Sequence, residues 1–91
     1  MQYRHLGNLG IQVSALGFGA MRLPAGEDGK VDLEQSVPIL RRGIDLGINY
    51  IDTAYVYING TSEVAVGQAI KPYPRESLYL ATKIPVHSAE D

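Results

Sequence analysis

At 91 residues the chain can form one small domain, since domains commonly run to ~100–150 residues; its 45% hydrophobic and 20% charged residues are those of an ordinary soluble globular protein. A net charge of −2 without any basic stripe offers little to a phosphate backbone, which sets nucleic-acid binding aside. The lack of cysteine excludes a disulfide framework and any thiolate metal site within these residues, and it fits a reducing compartment.

The first five residues, Met1 to His5, lack the apolar core of a signal peptide. No apolar run approaches the ~18 residues that span a bilayer. Asn59-Gly60-Thr61 matches a glycosylation sequon, which has meaning only for an exported chain. The expected location is cytoplasmic, with no membrane partner. Residues 1–14 read as a hairpin, two short stretches around Gly7-Asn8-Leu9-Gly10, whose glycines and asparagine tolerate positive φ. Ala15 to Met21 is a short apolar run with small residues, expected to be a buried strand approached closely by other groups. Pro24, Gly26 and Gly29 make residues 22–31 a loop.

A helix is expected over 33–46, with Val37, Leu40 and Ile44 at helical spacing and Gly47 as the C′ glycine. Asp32, with Gln35 three residues on, has the pattern of a capping box. Pro38 argues for a later start with Ser36 as N-cap, because an interior proline costs roughly 3 kcal/mol. Both starts stay open. Ile48 to Thr53 is the next strand, and a helix from Ser62 to Ile70 follows, capped by Thr61 or Ser62 and ended by Pro72 and Pro74. Ser77 to Lys83 is the last strand, and Ser88 to Asp91 reads as a helix start. The basic pairs Arg41-Arg42 and Lys71 with Arg75 read as solvated charges.

Strands alternating with helices imply a parallel sheet with right-handed crossovers. Such sheets are buried on both faces, and Leu78, Leu80, Tyr79 and Ala81 put apolar residues in both registers. Two helices cover one face only. The fold class is therefore α/β, a partial barrel with a hairpin, about three strands and two helices. Residues 1–91 are expected to form the N-terminal part of one larger domain, with 1–14 as hairpin and 15–91 as the first βα units.

Asp52 ends one strand, Tyr57 lies five residues on in the following loop, and Lys83 ends the next strand. Parallel strands of a barrel point their ends at one mouth, where barrel enzymes place their chemistry. A free phenol, with a pKa near ~10, is a poor proton donor to a carbonyl near neutrality. A neighbouring ammonium favours the phenolate, and a carboxylate keeps that ammonium charged. Such a phenol can act as general acid in carbonyl reduction. Taken singly, Asp52 is as well read as a turn-capping strand end, Lys83 as a solvated lysine, and Tyr50 or Tyr55 competes with Tyr57. The combination at these spacings favours a site. Gly17-Phe18-Gly19 lacks the third glycine of a dinucleotide fingerprint, since Arg22 stands in that place. Ser62-Glu63 reads most simply as helix capping, and no ligand set reads as a metal site.

Four stretches carry a resemblance: Gly17 to Pro24, Gly47 to Tyr57, Ser62-Glu63, and Leu80-Ala81-Thr82-Lys83. In order and spacing they resemble the aldo-keto reductase family, with the Asp-Thr-Ala-x-x-Tyr element and the Ala-Thr-Lys strand end as the more specific marks. The likeness covers essentially the whole chain, as the N-terminal portion of a (β/α)8 TIM barrel with its leading hairpin across the barrel bottom. It implies NAD(P)H-dependent reduction of aldehydes or ketones, with NADPH as cofactor and a small carbonyl compound as substrate. Tyr57 would be the proton donor, Lys83 its partner, and Asp52 the lysine's counter-ion and a cofactor contact. Ala20 and Met21 would touch the nicotinamide end. The family's histidine follows a later strand; neither His87 nor His5 is assigned that role. The phrasing of Met21 to Pro24 and Ile48 to Asp52 is also similar to the bacterial subgroup with a C-terminal iron–sulfur domain. A non-catalytic barrel remnant serving as a binding module is the alternative. Read this way, the chain is a fragment, inactive alone. Its unpaired strand edges template pairing with other chains, so the purified 91-residue chain is expected to self-associate in sedimentation experiments. A monomer that unfolds cooperatively would count against the incomplete barrel.

Overall fold

The computed structural model describes residues 1–85. Strands β1 (Tyr3–His5) and β2 (Gln12–Ser14) pair antiparallel, with Tyr3 opposite Ser14. Gly7 and Gly10 take φ of 56° and 73° in the turn between them, and Leu6 N–H donates to Ile11 O at 3.1 Å. The hairpin is as expected.

Strands β3 (Phe18–Gly19), β4 (Tyr50–Asp52) and β5 (Tyr79–Ala81) form a parallel sheet in the order β3-β4-β5. Each ladder is shorter than the apolar run that predicts it, two rows between β3 and β4 and three between β4 and β5, and of the run expected to be buried at 15–21 only Ala20 is buried. Single hydrogen bonds continue beyond it, from Ala20 N–H to Asp52 O, Thr53 N–H to Ala81 O and Tyr55 N–H to Lys83 O. Ser77 belongs instead to a 3-10 turn, Arg75–Ser77. The loop at 22–31 is more ordered than expected, with an antiparallel bridge between Ala25 and Val31.

Helix α1 (Leu33–Asp45) starts at Asp32, not at Ser36. The Asp32 carboxylate accepts from Gln35 N–H and from the Gln35 side-chain amide, so the N-cap forms; the reciprocal half of the expected capping box does not, because Asp32 N–H donates to Pro24 O. Pro38 is accommodated inside the helix, and Ser36 is fully buried with its hydroxyl donating to Pro24 O at 3.0 Å. Gly47, at φ 106°, closes the helix as the C′ residue, its N–H on Ile44 O.

Helix α2 (Ser62–Ile70) buries Ser62, Ala65, Val66 and Ala69. These small side chains let it lie close against α1 and the sheet. Arg41 is not a solvated charge: its guanidinium donates to Ala69 O and Gln68 O at 3.1 and 3.0 Å, covering carbonyls that the end of α2 leaves open. Arg75 likewise donates to Leu78 O.

One row of the sheet, Phe18–Ile51–Leu80, packs on Leu40, Ala65, Val66 and Ala69 of the helices. Because strand side chains alternate, Gly19, Asp52 and Ala81 share a row on the other face, with Tyr50 and Tyr79 paired below them. Asp52, Ala81, Tyr50 and Tyr79 are only half-buried, as the two-helix arrangement requires. Among the described residues no helix is long and apolar enough to cross a membrane.

Asn49 fixes the hairpin to the end of the sheet opposite the strand C-termini. Its side-chain oxygen accepts from Ser14 N–H at 2.6 Å, its side-chain amide donates to Gln12 O, and its backbone N–H donates to Ser14 Oγ. Tyr3 Oη adds a bond to Gly47 O. Asn49→Ala strips two bonds from a partly buried contact and is expected to cost ~1–3 kcal/mol. Amide exchange should quicken in residues 3–14 while the α1 core stays protected.

Candidate active site

The parallel register places the C-terminal ends of β3, β4 and β5 side by side, and the chemically capable side chains stand there. Lys83 Nζ donates to Asp52 Oδ1 at 2.6 Å and to Thr53 O at 3.0 Å. It also sits 5.0 Å from the centre of the Tyr57 ring, within cation–π range. The trio read from the sequence therefore converges. The ion pair is half exposed, 51% for Lys83 and 44% for Asp52, and an exposed pair contributes little to stability by itself.

Lys83 is held above its ordinary pKa of 10.5, first by the hydrogen bond from its ammonium to Asp52, then by Tyr57, with partial desolvation opposing both. The ammonium is thus secured at neutral pH. Tyr73, away from this cluster, is held above 10.0 by partial burial and by its hydrogen bond to Asp45.

Tyr57 is set by an unusual turn. Ile58, Asn59 and Gly60 all have positive φ, 51°, 53° and 82°. For a β-branched residue such as Ile58 this is a strained conformation, of order 1–3 kcal/mol, that persists only where surrounding contacts enforce it. Those contacts are present. Ile58 packs against the core, Asn59 Nδ2 donates to Gly29 O, and Thr61 Oγ1 accepts from Val31 N–H while donating to Ile58 O. Tyr57 is half-buried and Tyr55 is 60% exposed, which separates the two candidates.

Ala20 and Met21 differ sharply. Ala20 is fully buried, and its N–H and C=O are used by Asp52 O and Ser62 Oγ, so it lines the floor and presents no surface. Met21 is 51% exposed. The capping expected of Thr61 or Ser62 does not form: Thr61 ties two loops together, and Ser62 Oγ donates to Ala20 O at 2.8 Å and pairs with Thr53 Oγ1 at 2.7 Å. Glu63 accepts from Thr82 Oγ1 at 2.5 Å. Thr53, Ser62 and Thr82 are thus parts of the surroundings that the trio alone does not reveal; they lie in the stretches that carry the family resemblance, where Ser62 reads only as a helix cap. His87, and the helix start expected at Ser88–Asp91, lie outside the described residues.

Fold and strand-end cluster together define an α/β chain built of barrel-type βα units with a carboxylate, ammonium and phenol at the mouth. The aldo/keto reductase family model matches residues 15–91, and the chain belongs to that family. An aldo-keto reductase of Bacillus halodurans, in its holo form, superposes with a TM-score of 0.80 at 38% identity, covering 99% of this chain and 28% of that one. A Klebsiella pneumoniae aldo-keto reductase in complex with NADPH gives 0.68 at 37% identity, covering 80% and 24%. A probable voltage-gated potassium channel subunit beta of Arabidopsis thaliana is 38% identical over 86 residues, 92% of this chain and 25% of its own length. The chain spans about a quarter of the length of the curated relatives it matches. Its architecture is accordingly a partial (β/α)8 barrel.

Because both Lys83 and Tyr73 have raised values, the unfolded chain loses these protons first as pH rises. Their stabilisation is complete below the unfolded values near 10.0–10.5 and is lost as pH climbs through the folded ones. Asp52→Asn is expected to reduce the alkaline loss of stability without abolishing it, since Tyr73 is untouched. Urea unfolding at pH 8 and at pH 11 measures the difference.

Proposed function

We propose that the chain supplies the proton-donating part of an oxidoreductase that reduces aldehydes or ketones to alcohols with NADPH, as the opening segment of a longer barrel. The observation that carries this reading is Lys83 bonded to Asp52 and seated beside the Tyr57 ring at the sheet's C-terminal end. NADPH, when bound, supplies hydride for the carbonyl carbon. Tyr57 donates a proton to the carbonyl oxygen, and the Lys83 ammonium stabilises the negative charge that develops on the phenol oxygen as the proton leaves. Asp52 keeps Lys83 protonated and fixes where its charge sits.

The mouth suits a cofactor of this kind. A Cβ built on Gly19 would meet nothing within 4 Å, and Met21 beside it is half exposed. Asp52 Oδ2 has no hydrogen-bond partner among the described residues, leaving an acceptor for a ribose hydroxyl. The NADPH bound by the Klebsiella relative supports the choice of cofactor. On this reading Met21 and Asp52 touch it and Ala20, fully buried, contributes shape only. A non-catalytic binding role is the second reading, favoured by the channel-subunit relative at similar identity.

The test joins this chain to the remainder of the Bacillus halodurans relative, in place of the matching segment. The hybrid is expected to oxidise NADPH with a small aldehyde, and Tyr57→Phe to lower kcat by ~10²–10⁴ while cofactor binding holds. Unchanged kcat in the Phe variant would remove Tyr57 from the chemistry. The 91-residue chain alone is expected to show no turnover and no tight NADPH binding, as followed by NADPH absorbance and fluorescence titration.

A further inference from the structure

Ser62 and Glu63 open α2, yet neither caps it. Ser62, fully buried, donates its hydroxyl to Ala20 O beyond β3 and pairs with Thr53 Oγ1 beyond β4. Its backbone N–H reaches Tyr57 O at 3.3 Å. Glu63 accepts from Thr82 Oγ1, one residue before Lys83 and just past β5. One turn of helix is therefore tied to the ends of all three parallel strands and to the loop that carries Tyr57.

We propose that Ser62, Glu63 and Thr82 are positioning residues, a clamp of the strand ends that holds Lys83 on Asp52 beside Tyr57. It rests on the reading that these three do the chemistry. The physical need for a clamp is plain. Regular β5 pairing stops at Ala81, and past it, among the described residues, the backbone is held by Tyr55 N–H on Lys83 O alone. Lys83 and Asp52 are both near half exposed, so their attraction is screened and must offset the entropy of ordering a long side chain. A hydroxyl donating to a carboxylate is a charge-assisted bond, shorter and stronger than a neutral one, and it fixes the backbone next to Lys83. Ser62 steadies the backbone around the other partner through neutral bonds: it holds Ala20 O and Thr53 Oγ1, while Ala20 N–H donates to Asp52 O and Thr53 O accepts from Lys83. The groups facing the ammonium are Asp52 and Tyr57, with Glu63 reached through Thr82.

The readout is the pKa of Lys83 in the hybrid barrel, from competitive acylation against pH, with exposed Lys30 and Lys71 as internal references. Thr82→Val and Glu63→Ala are each expected to lower it by ~0.5 unit or more, while Glu63→Gln, which keeps the acceptor, holds it within ~0.2 unit. Thr82 is exposed, so its variant leaves the core intact, and circular dichroism checks each protein. An unmoved Lys83 in Thr82→Val overturns the clamp. So does a Glu63→Gln drop equal to that of Glu63→Ala, which would assign the effect to charge. Asp52→Asn separates the two levels: if it leaves Lys83 unmoved, the site itself is misread; if it moves Lys83 and Thr82→Val does not, only the clamp fails.

Discussion

Gly19, Asp52 and Ala81 occupy one row of a parallel sheet, and most of what this chain can do follows from that alignment. Parallel pairing brings strand ends out on the same side, and the alternation of side chains puts Asp52 on the face away from the helices. A slip of one residue would turn Asp52 into the helix layer and expose Ile51. The buried row Phe18–Ile51–Leu80, under Leu40 of α1 and Ala65, Val66 and Ala69 of α2, makes such a slip costly. Hydrophobic packing on one face thus sets the position of a charge on the other.

Given that frame, a modest ion pair suffices. The ammonium of Lys83 spends two of its three donors on Asp52 Oδ1 and Thr53 O, and no large desolvation cost is incurred because both side chains reach solvent. Strain is accepted where it has a use. The left-handed Ile58 that follows Tyr57 is kept in place by two loops, one reaching across with Gly29 and Val31 and the other held by Thr61. Removing the strain would leave the phenol on a looser turn.

The two ends of the sheet are built differently. At one end the side chains of Asn49 and Tyr3 seat a hairpin through hydrogen bonds to backbone groups of Ser14, Gln12 and Gly47. At the other, hydroxyls and a carboxylate join strand ends while leaving Asp52, Met21 and Lys83 accessible. The same frame occurs in structures named as reductases, and a relative named as a channel subunit is similar in sequence at the same level, in keeping with function residing in the site and its surroundings more than in the fold.

Local chemistry made much of this readable in advance. Asp32 with Gln35, the C′ glycine Gly47 and the Leu40 stripe act over neighbouring residues, so α1 could be placed by pattern, and the spacing of Asp52, Tyr57 and Lys83 marked the cluster. The roles of Ser62, Thr61, Thr82 and Arg41 could not be read so. Ser62 meets Ala20 across 42 positions and Arg41 meets Ala69 across 28, so their partners exist only once helices and strands have packed. The same holds for Tyr55 and Tyr57: composition makes them equal, and only the folded chain leaves one half-buried beside Lys83 and the other exposed. Sequence alone determined which residues could do chemistry and which elements carry them, because those signals are local. Tertiary structure alone decided which of their neighbours hold them in place, because hydrogen bonds between distant segments are set by packing and not by adjacency.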